Sequence, residues 1–286
     1  MRTNRRQFMG GIGALAASTF PMPAFAQAKP KVVVVGGGPG GATVAKYVAK
    51  DGGIDVSLVE PAKRFTTCFH SNLYLGGFKT WEEITHSYDK IARTYGIKHV
   101  RLKATTIDRE KKLVHFASGR SLPYDRLVLA PGIDIKFDSV PGYSEEVSKK
   151  LPHAWQAGAQ TQLLKRQLNA LSDGATIVMI APPNPYRCPP GPYERVSMMA
   201  HVLKAKGHKK SRIVIIDPKE NFSKQGLFME GWQKHYPGVI EWQDVKMHGG
   251  VKNVDAKAMT VKTDLAEYKA QLINVIPAQM AGKIAR

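Results

Sequence analysis

The sequence has only two cysteines, no uninterrupted apolar run long enough to cross a bilayer, and no metal-ligand spacing among its nine histidines. We therefore predict no transmembrane segment and no metal site. Two cysteines allow at most one structural disulfide. Because Cys68 and Cys188 lie in different motifs and in different predicted domains, we do not expect them to pair with each other. A chain of 286 residues is nevertheless long enough to bury a substantial core.

Acidic residues are scarce, since 23 Asp and Glu stand against 42 Lys and Arg and give a formal net charge of +19. Such a charge raises the question of nucleic acid binding. The basic residues are scattered along the chain, however, and we predict no nucleic acid partner. For the densest run, residues 204–212, two interpretations stay open: a solvated turn, or a docking face that steers an acidic protein partner.

A glycine-rich phosphate loop is missing where a second dinucleotide fold would have one. Residues 175–180 form a short apolar strand pattern, and a helical pattern follows Pro192. The stretch between them, residues 181–194, reads APPNPYRCPPGPYE and contains Cys188. Nicotinamide enzymes present backbone N–H groups to a diphosphate at such a corner, and proline has no N–H. We therefore expect no nicotinamide nucleotide at this corner.

The first strand–loop–helix corner has the glycines that the second corner lacks. After the apolar run 31–35, Gly36, Gly38 and Gly41 fit the spacing Gly-x-Gly-x-x-Gly, and Glu60 ends the second predicted strand. The three glycines allow a tight turn, close approach of a diphosphate, and packing of helix on strand, while the acid accepts hydrogen bonds from a ribose. The predicted dinucleotide site consists of Gly36, Gly38, Pro39, Gly40, Gly41 and Glu60.

The N-terminus contains the twin-arginine pattern Asn4-Arg5-Arg6-Gln7-Phe8-Met9, a weakly apolar segment over 10–20, and small-residue cleavage sites within 24–28. The twin-arginine route exports folded proteins, often with a cofactor already bound. We predict that residues 1–28 are a signal peptide and that the mature protein is periplasmic. The alternative is a disordered basic tail.

The segment 124–132 reads YDRLVLAPG, a buried strand that runs into a turn of small residues. It resembles the tyrosine–aspartate–strand–ATG segment of flavoproteins with two dinucleotide folds, with Pro131 in the usual threonine position. The resemblance implies that Ala130, Pro131 and Gly132 contact the cofactor and that the chain then leaves the FAD domain for an inserted one. In this insert we predict a helix near Trp155–Leu171.

We therefore predict an α/β fold with two Rossmann-like, three-layer dinucleotide-binding domains of the FAD/NAD(P)-dependent disulfide-reductase type, the second inserted in the first. The predicted bounds are 1–28 for the signal peptide, 29–150 for the N-terminal part of the FAD-binding domain, 151–280 for the insert, and 281–286 for the start of the return to the FAD domain.

Cys68 lies in the segment TTCFHSN, residues 66–72, a few residues after the predicted ribose-binding acid. In a flavin-binding fold, a loop at this place turns back toward the isoalloxazine ring. The spacing leaves three roles open for Cys68: a redox partner of the flavin, a covalent anchor, or a buried small residue.

With both cysteine motifs in view, the whole chain resembles the flavoprotein subunit of flavocytochrome c sulfide dehydrogenase. The likeness depends on the twin-arginine leader, the motif Thr67-Cys68-x-x-Ser71-Asn72, and the segments 153–158, 181–194 and 222–228. It implies that Cys68 forms a thioether with the 8α-methyl group of FAD. It further implies that Cys188 is one half of a redox-active disulfide and that Glu194 handles protons. Glu194 also has a simpler interpretation, because a helix dipole favours a carboxylate in the first turn.

The resemblance implies a periplasmic FAD-dependent oxidoreductase subunit that oxidises sulfide to persulfide or sulfur and passes electrons to a c-type cytochrome subunit of a heterodimer. Sulfide would attack a disulfide by thiol–disulfide exchange, and the flavin would release electrons one at a time. Two alternatives stay open: an enzyme of the sulfide:quinone oxidoreductase type, and a non-catalytic flavin-binding protein. The loop 181–194 disfavours an NAD(P)H-dependent disulfide reductase.

Members of this family are longer than 286 residues. They return to the FAD domain with a strand that ends in Gly-Asp, and they contain a second redox cysteine and a C-terminal interface region. From the resemblance we expect this chain to lack these parts, to bind FAD poorly by itself, and not to turn over sulfide.

Overall fold

A computed structural model of the protein describes residues 28–286. The predicted twin-arginine motif and its apolar segment lie outside the described residues. The strands are β1 (Lys31–Val35), β2 (Asp55–Val59), β3 (Arg64–Thr66), β4 (Thr85–Ser87), β5 (Lys98–Val100), β6 (Ala104–Asp108), β7 (Leu113–Phe116), β8 (Ser121–Pro123), β9 (Arg126–Leu129), β10 (Ile133–Ile135), β11 (Thr176–Ile180), β12 (Arg212–Ile216), β13 (Ile240–Gln243), β14 (Val251–Asp255), β15 (Thr260–Thr263), β16 (Glu267–Lys269), β17 (Leu272–Val275) and β18 (Gln279–Ala281). The helices are α1 (Pro39–Ala49), α2 (Ser71–Gly76), α3 (Asp89–Tyr95), α4 (Glu145–Ser148), α5 (Ala159–Asn169), α6 (Gly191–Ala205), α7 (Gln225–His235) and α8 (Val245–His248).

The first sheet is parallel, with strand order β5-β2-β1-β9. Its central strand β1 is a continuous valine run because both of its faces are covered. Val32 and Val34 pack in a core that includes Ala45 of α1, whereas Val33 packs in a second core with Val114 of β7. The first half thus has three layers: helices, the parallel sheet, and the antiparallel strands β6-β7-β8.

The second sheet repeats this design with the parallel order β13-β12-β11-β17. Alternate side chains of β11 again point to opposite faces of the sheet. Met179 packs in a core with Leu164 of α5 and Met199 of α6, while Val178 packs in another core with Val261 of β15. The antiparallel strands β14-β15-β16 form the third layer here.

The two halves are joined by the antiparallel pair β10 and β18, in which Ile133 lies opposite Ala281. Strand β10 follows the last strand of the first sheet, and β18 follows the last strand of the second. The chain therefore leaves the first fold and returns to it at one place. The predicted fold class, two dinucleotide-binding folds with the second inserted in the first, is confirmed.

The helix predicted near Trp155–Leu171 is wrong at its N-terminal end, because α5 begins only at Ala159. Ala154 has φ +46° and Gly158 has φ +142°, and neither conformation fits an α-helix. Trp155 instead lies in an irregular segment and packs in the core that contains Leu164 and Met199. No helix within residues 28–286 has the length and apolarity that a bilayer crossing needs.

Candidate active site

Two neighbouring cavities meet at the carboxyl end of the first sheet. The larger, of about 540 Å³, is a cleft along the loops that follow β1, β2 and β9. The smaller, of about 250 Å³, lies between α2 and the start of α6. Cys68 and Arg187 line both cavities. Ligands of parallel α/β sheets bind at this end of the strands, so both cavities occupy the position expected for a site.

The glycines of the first loop have different tasks. Gly36 has φ +104°, and a Cβ there would lie 2.1 Å from the carbonyl oxygen of Ala130, so both its conformation and its contact require glycine. A Cβ at Gly41 would lie 1.9 Å from the Gly36 carbonyl oxygen, which fixes the packing of α1 on β1. Gly38 faces open space, with Phe65 at 4.0 Å as the nearest neighbour. A side chain at Gly38 would enter the cleft.

Glu60 holds this loop and faces the cleft. One carboxylate oxygen accepts a hydrogen bond from the Gly37 N–H at 2.9 Å, and the other accepts one from the Ala62 N–H at 2.9 Å. Tyr88 donates its hydroxyl to the Gly37 carbonyl at 2.9 Å, and burial, with a further contribution from Glu60, raises the pKa of this tyrosine. Each carboxylate oxygen of Glu60 retains a lone pair for a ribose hydroxyl.

Most of the predicted cofactor-binding residues share the cleft: Gly36, Gly38, Pro39, Glu60, Cys68, Ala130, Pro131 and Gly132. Gly40 and Gly41 do not line it, since Gly41 is buried against β1 and Gly40 is exposed on α1. Gln156 and Gly158, from the segment 153–158, also line the cleft and had no predicted role. A bare glycine at the start of α1, an acid after β2 and an open cleft between them fit a flavin dinucleotide.

The loop 181–190, between β11 and α6, is held by its own contacts. Lys219 donates to the Pro182 carbonyl at 2.7 Å, and the Arg187 N–H donates to the Gln279 side chain at 3.1 Å. The loop ends at Cys188, which has φ +59° and accepts a hydrogen bond from the Gly191 N–H at 2.8 Å. A left-handed conformation costs a residue with a Cβ about 1 kcal/mol or more. Such local strain is typical of functional sites.

The smaller cavity brings together the two cysteines, although 119 residues separate them along the chain. Both are free thiols, and the expectation that they do not pair agrees with this. They nevertheless line one cavity, because α2 packs against α6. Partial burial raises the pKa of the Cys188 thiol, and the Glu194 carboxylate raises it further.

Asn72 of α2 connects the residues at the start of α6. Its amide nitrogen donates to the Glu194 carboxylate at 2.8 Å and to the Gly191 carbonyl at 3.1 Å. Its amide oxygen accepts from the Nε of Arg195 at 3.2 Å. Cys188 and Glu194, the two predicted catalytic residues, both line this cavity, and Asn72 fixes the orientation of the carboxylate.

Arg195 is almost completely buried beneath the cavity, with 1% of its surface exposed. Its guanidinium donates to the carbonyls of His153 at 2.8 Å and Ala154 at 2.7 Å, and to the side chain of Asn274 at 3.3 Å. Burial lowers the pKa of Arg195 to about 9. Sequence reasoning assigned no role to Arg195 or to Asn274. Asn274 was the available signal, since it is the polar residue of an otherwise apolar buried strand.

His153 is buried beside Arg195 and uncharged at neutral pH. Its Nδ1 accepts a hydrogen bond from the Trp155 N–H at 3.0 Å, which requires the unprotonated nitrogen. Burial, with Arg195 and Arg187 adding to it, lowers the pKa of His153 to about 4. The cations around the cavity are therefore the two arginines and not this histidine.

Comparison with known proteins agrees with this geometry. A family model described as pyridine nucleotide-disulphide oxidoreductase matches residues 30–180, which is more than half of the chain. A second model, the central part of the sulfide dehydrogenase [flavocytochrome c] flavoprotein chain, matches residues 161–277. The flavoprotein chain of that enzyme from Chlorobaculum thiosulfatiphilum is 60% identical over 43 residues, which are 15% of this chain and 90% of that sequence.

Two further relatives are sulfide:quinone oxidoreductases. The mitochondrial protein of Dictyostelium discoideum is 29% identical over 124 residues, 42% of this chain and 26% of its own length. The crystal structure of the Aquifex aeolicus protein superposes with a TM-score of 0.70 at 20% identity, over 89% of this chain and 60% of that one. The chain thus spans only part of the length of these two relatives. At such identity the structural likeness shows the fold alone.

Two α/β folds in one chain, with a dinucleotide cleft next to two thiols, define a flavin-dependent oxidoreductase of the disulfide-reductase type. The chain belongs to the pyridine nucleotide-disulphide oxidoreductase family and, within it, to the flavoprotein chains of flavocytochrome c sulfide dehydrogenase.

Proposed function

We propose that this protein is the FAD-binding subunit of an enzyme that oxidises sulfide at Cys188 and passes the electrons to a c-type cytochrome. The observation that carries the proposal is the arrangement of the two cavities. Cys188 and Glu194 line the smaller cavity, the glycine loop and Glu60 line the larger one, and Cys68 lies on both. A sulfur substrate bound at Cys188 would therefore lie next to the flavin ring.

The proposed chemistry is a thiol–disulfide exchange at Cys188. Hydrosulfide attacks a disulfide between Cys188 and a second cysteine, which is not among the 286 residues of this sequence because Cys68 is assigned to the flavin. A bond forms between the incoming sulfur and the Cys188 sulfur, and the second cysteine leaves as a thiolate with the electron pair of the broken bond. When bound, the flavin supplies an acceptor for that electron pair and passes electrons on singly. Glu194 takes the proton that the new persulfide releases, because its carboxylate lies on the same cavity.

The role of Cys68 is proposed to be covalent attachment of the flavin through a thioether. Its position supports this role, because Cys68 is half-buried at the junction of the two cavities, where the flavin ring would lie. Denaturation of the natively purified protein in acid tests the attachment. We expect the yellow colour to stay with the polypeptide in the wild type and in Cys188→Ser, and to be released from Cys68→Ser. Release from the wild type would contradict the thioether.

The electron acceptor is proposed to be a c-type cytochrome subunit, as the Chlorobaculum relative's name suggests. The match to the sulfide:quinone oxidoreductase of Dictyostelium favours a quinone as the second candidate. Sulfide-dependent reduction of cytochrome c, compared with reduction of decylubiquinone, separates the two. A large excess of quinone reduction would overturn the cytochrome proposal.

A periplasmic location through the twin-arginine route is proposed from Arg5 and Arg6. A reporter fused to residues 1–28 should be exported, and the change of both arginines to lysine should abolish export. Export that survives the double change would contradict this location.

A further inference from the structure

The smaller cavity has a buried positive charge in its lining that no carboxylate neutralises directly. Arg195 donates four hydrogen bonds, all to neutral acceptors: the Asn72 and Asn274 side chains and two backbone carbonyls. Within residues 28–286, no ion pair includes Arg195. A buried guanidinium usually has an acidic partner, since desolvation of an unpaired charge is costly.

The Asn72 amide lies between this cation and the Glu194 carboxylate. Its oxygen faces Arg195 at 3.2 Å and its nitrogen faces Glu194 at 2.8 Å. In direct contact, the two charged groups would form an ion pair and neutralise each other. With the amide between them, the charge of Arg195 remains available to whatever enters the cavity.

Other groups of the lining also favour a negative charge. Trp155 is 5% exposed, and its indole N–H has no acceptor in the part of the chain that the structure describes. The ring of Trp155 lies 5.0 Å from the centre of the Arg195 guanidinium. Arg187 adds a second cation, and the cavity adjoins the N-terminal end of the fifteen-residue helix α6, where the helix dipole is positive. Glu194 is the one carboxylate in this lining.

We propose that the small cavity is a binding site for small monovalent anions and that Arg195 is the residue that makes it so. The substrate species that binds beside Cys188 is then the hydrosulfide anion rather than neutral hydrogen sulfide. This last identification rests on the proposed function, whereas the anion site itself does not. Arg195 acts through its field on the bound species, because each of its three guanidinium nitrogens already donates to a protein acceptor.

A matched pair of alkylating agents tests the anion site without any sulfide. Iodoacetate is an anion and iodoacetamide is neutral, and both are attacked by the same thiolate with loss of iodide. The ratio of their rates at Cys188, followed by mass spectrometry of the peptide that contains it, therefore cancels differences in thiol ionisation and access. For the natively purified, reduced protein we expect this ratio to exceed that of the same cysteine in urea by about tenfold, since nearby charges act strongly in a partly dry cavity.

Variants assign the effect to Arg195. Arg195→Met should return the ratio to the value in urea, Arg195→Lys should retain most of the preference for iodoacetate, and the exposed Arg212→Met, which removes the same charge elsewhere, should leave the ratio unchanged. If Arg195→Met fails to fold, the rate ratios of the wild type and of Arg195→Lys still test the anion site. Equal ratios in the folded and the urea-unfolded wild type would overturn the proposal. A raised ratio, together with no sulfide oxidation by the complete complex with its partner subunit, would contradict the proposed function and keep the anion site.

Discussion

The two halves of the molecule contain the same strand–loop–helix corner, used in opposite ways. In the first half the chain passes from β1 to α1 through residues 36–38, and Gly38 leaves the helix start open to a ligand. In the second half it passes from β11 to α6 through residues 181–190, and the longer proline-containing loop places Cys188 at the helix start. One corner offers backbone N–H groups, and the other offers a thiol.

The acidic residues that follow the second strand of each fold, Glu60 and Asp217, also differ in whether a ligand can reach them. Glu60 is half-buried and lines the larger cleft. Asp217 is completely buried, and its Oδ2 accepts hydrogen bonds from the Tyr193 hydroxyl at 2.6 Å and the Trp242 indole at 3.0 Å. The Tyr193 ring stacks on Phe222 with 3.7 Å between ring centres. The position that a nicotinamide nucleotide would need is therefore occupied by the protein's own side chains.

This contrast shows how a nucleotide-binding fold can present a thiol where its relative presents a phosphate-binding loop. Once the ribose-binding acid is enclosed by aromatic side chains, the loop before the helix no longer has to approach a diphosphate. It can then lengthen and reach the neighbouring domain. The second half contains several buried ionisable groups, among them His153, Arg195 and Asp217. The following experiments test how far the two halves differ.

The largest effect is expected from Asp217→Ala. The Asp217 carboxylate forms an ion pair of 2.6 Å with Lys219, whose side chain is 9% exposed and whose pKa burial lowers. Loss of one member of a buried pair strands the other, at a cost of about 3–5 kcal/mol in the free energy of unfolding. Urea unfolding measures this loss. Glu60→Ala is the matched change in the first half and should cost about 1 kcal/mol, because backbone N–H groups there regain water. Equal losses would refute the contrast.

The sequence predicts features that are encoded by neighbouring residues better than contacts between residues far apart along the chain. The corner at Gly36–Gly41 and the altered loop at 181–194 are local patterns with a known geometry, and both were placed correctly. The contact between α2 and α6 was not predicted, because it joins residues more than a hundred positions apart and no periodicity encodes it. The burial of Arg195 was missed for a related reason, since an arginine in a helical pattern is normally exposed.

Acid should weaken the second half through His153. Its pKa is about 4 in the folded protein and near 6.5 in the unfolded chain, so the unfolded chain binds the proton first as the pH falls. Stability is therefore lost between about pH 6.5 and pH 4, by up to roughly 3 kcal/mol. Urea unfolding at pH 7.5 and pH 5 measures the loss. His153→Asn keeps an acceptor for the Trp155 N–H and should remove most of the difference, whereas the exposed His86→Asn should retain it. An unchanged difference in His153→Asn would exclude this histidine as the cause.

A smaller effect, confined to cofactor binding, is expected from Gly38→Val. The backbone of Gly38 is extended, with φ −66° and ψ −177°, so a valine fits the chain while its side chain enters the cleft. We expect at least about tenfold less retained flavin, or 1.4 kcal/mol, with stability of the apoprotein changed by less than about 1 kcal/mol. Absorbance of the purified protein measures retention.

Pro183→Gly restores a backbone N–H to the loop 181–190 and should still confer no NADH binding, because Tyr193 and Phe222 fill the position that a nicotinamide nucleotide would need. NADH binding by this variant would show that the loop alone had excluded the nucleotide.

The smallest effect is expected from Gly40→Ala, which separates the glycines that the first corner needs from the one it does not. A Cβ at Gly40 has no neighbour within 4 Å, and the residue lies in the first turn of α1. Alanine should therefore stabilise the helix by about 0.5 kcal/mol, since glycine loses more backbone entropy on folding. Flavin retention should not change, because the backbone N–H remains. Gly41→Ala differs by one position, yet its Cβ would lie 1.9 Å from the Gly36 carbonyl and should impair folding. If Gly40→Ala lost its flavin as well, the cofactor would have to approach α1 from its exposed side, and the cleft beside Gly38 would not be its binding site.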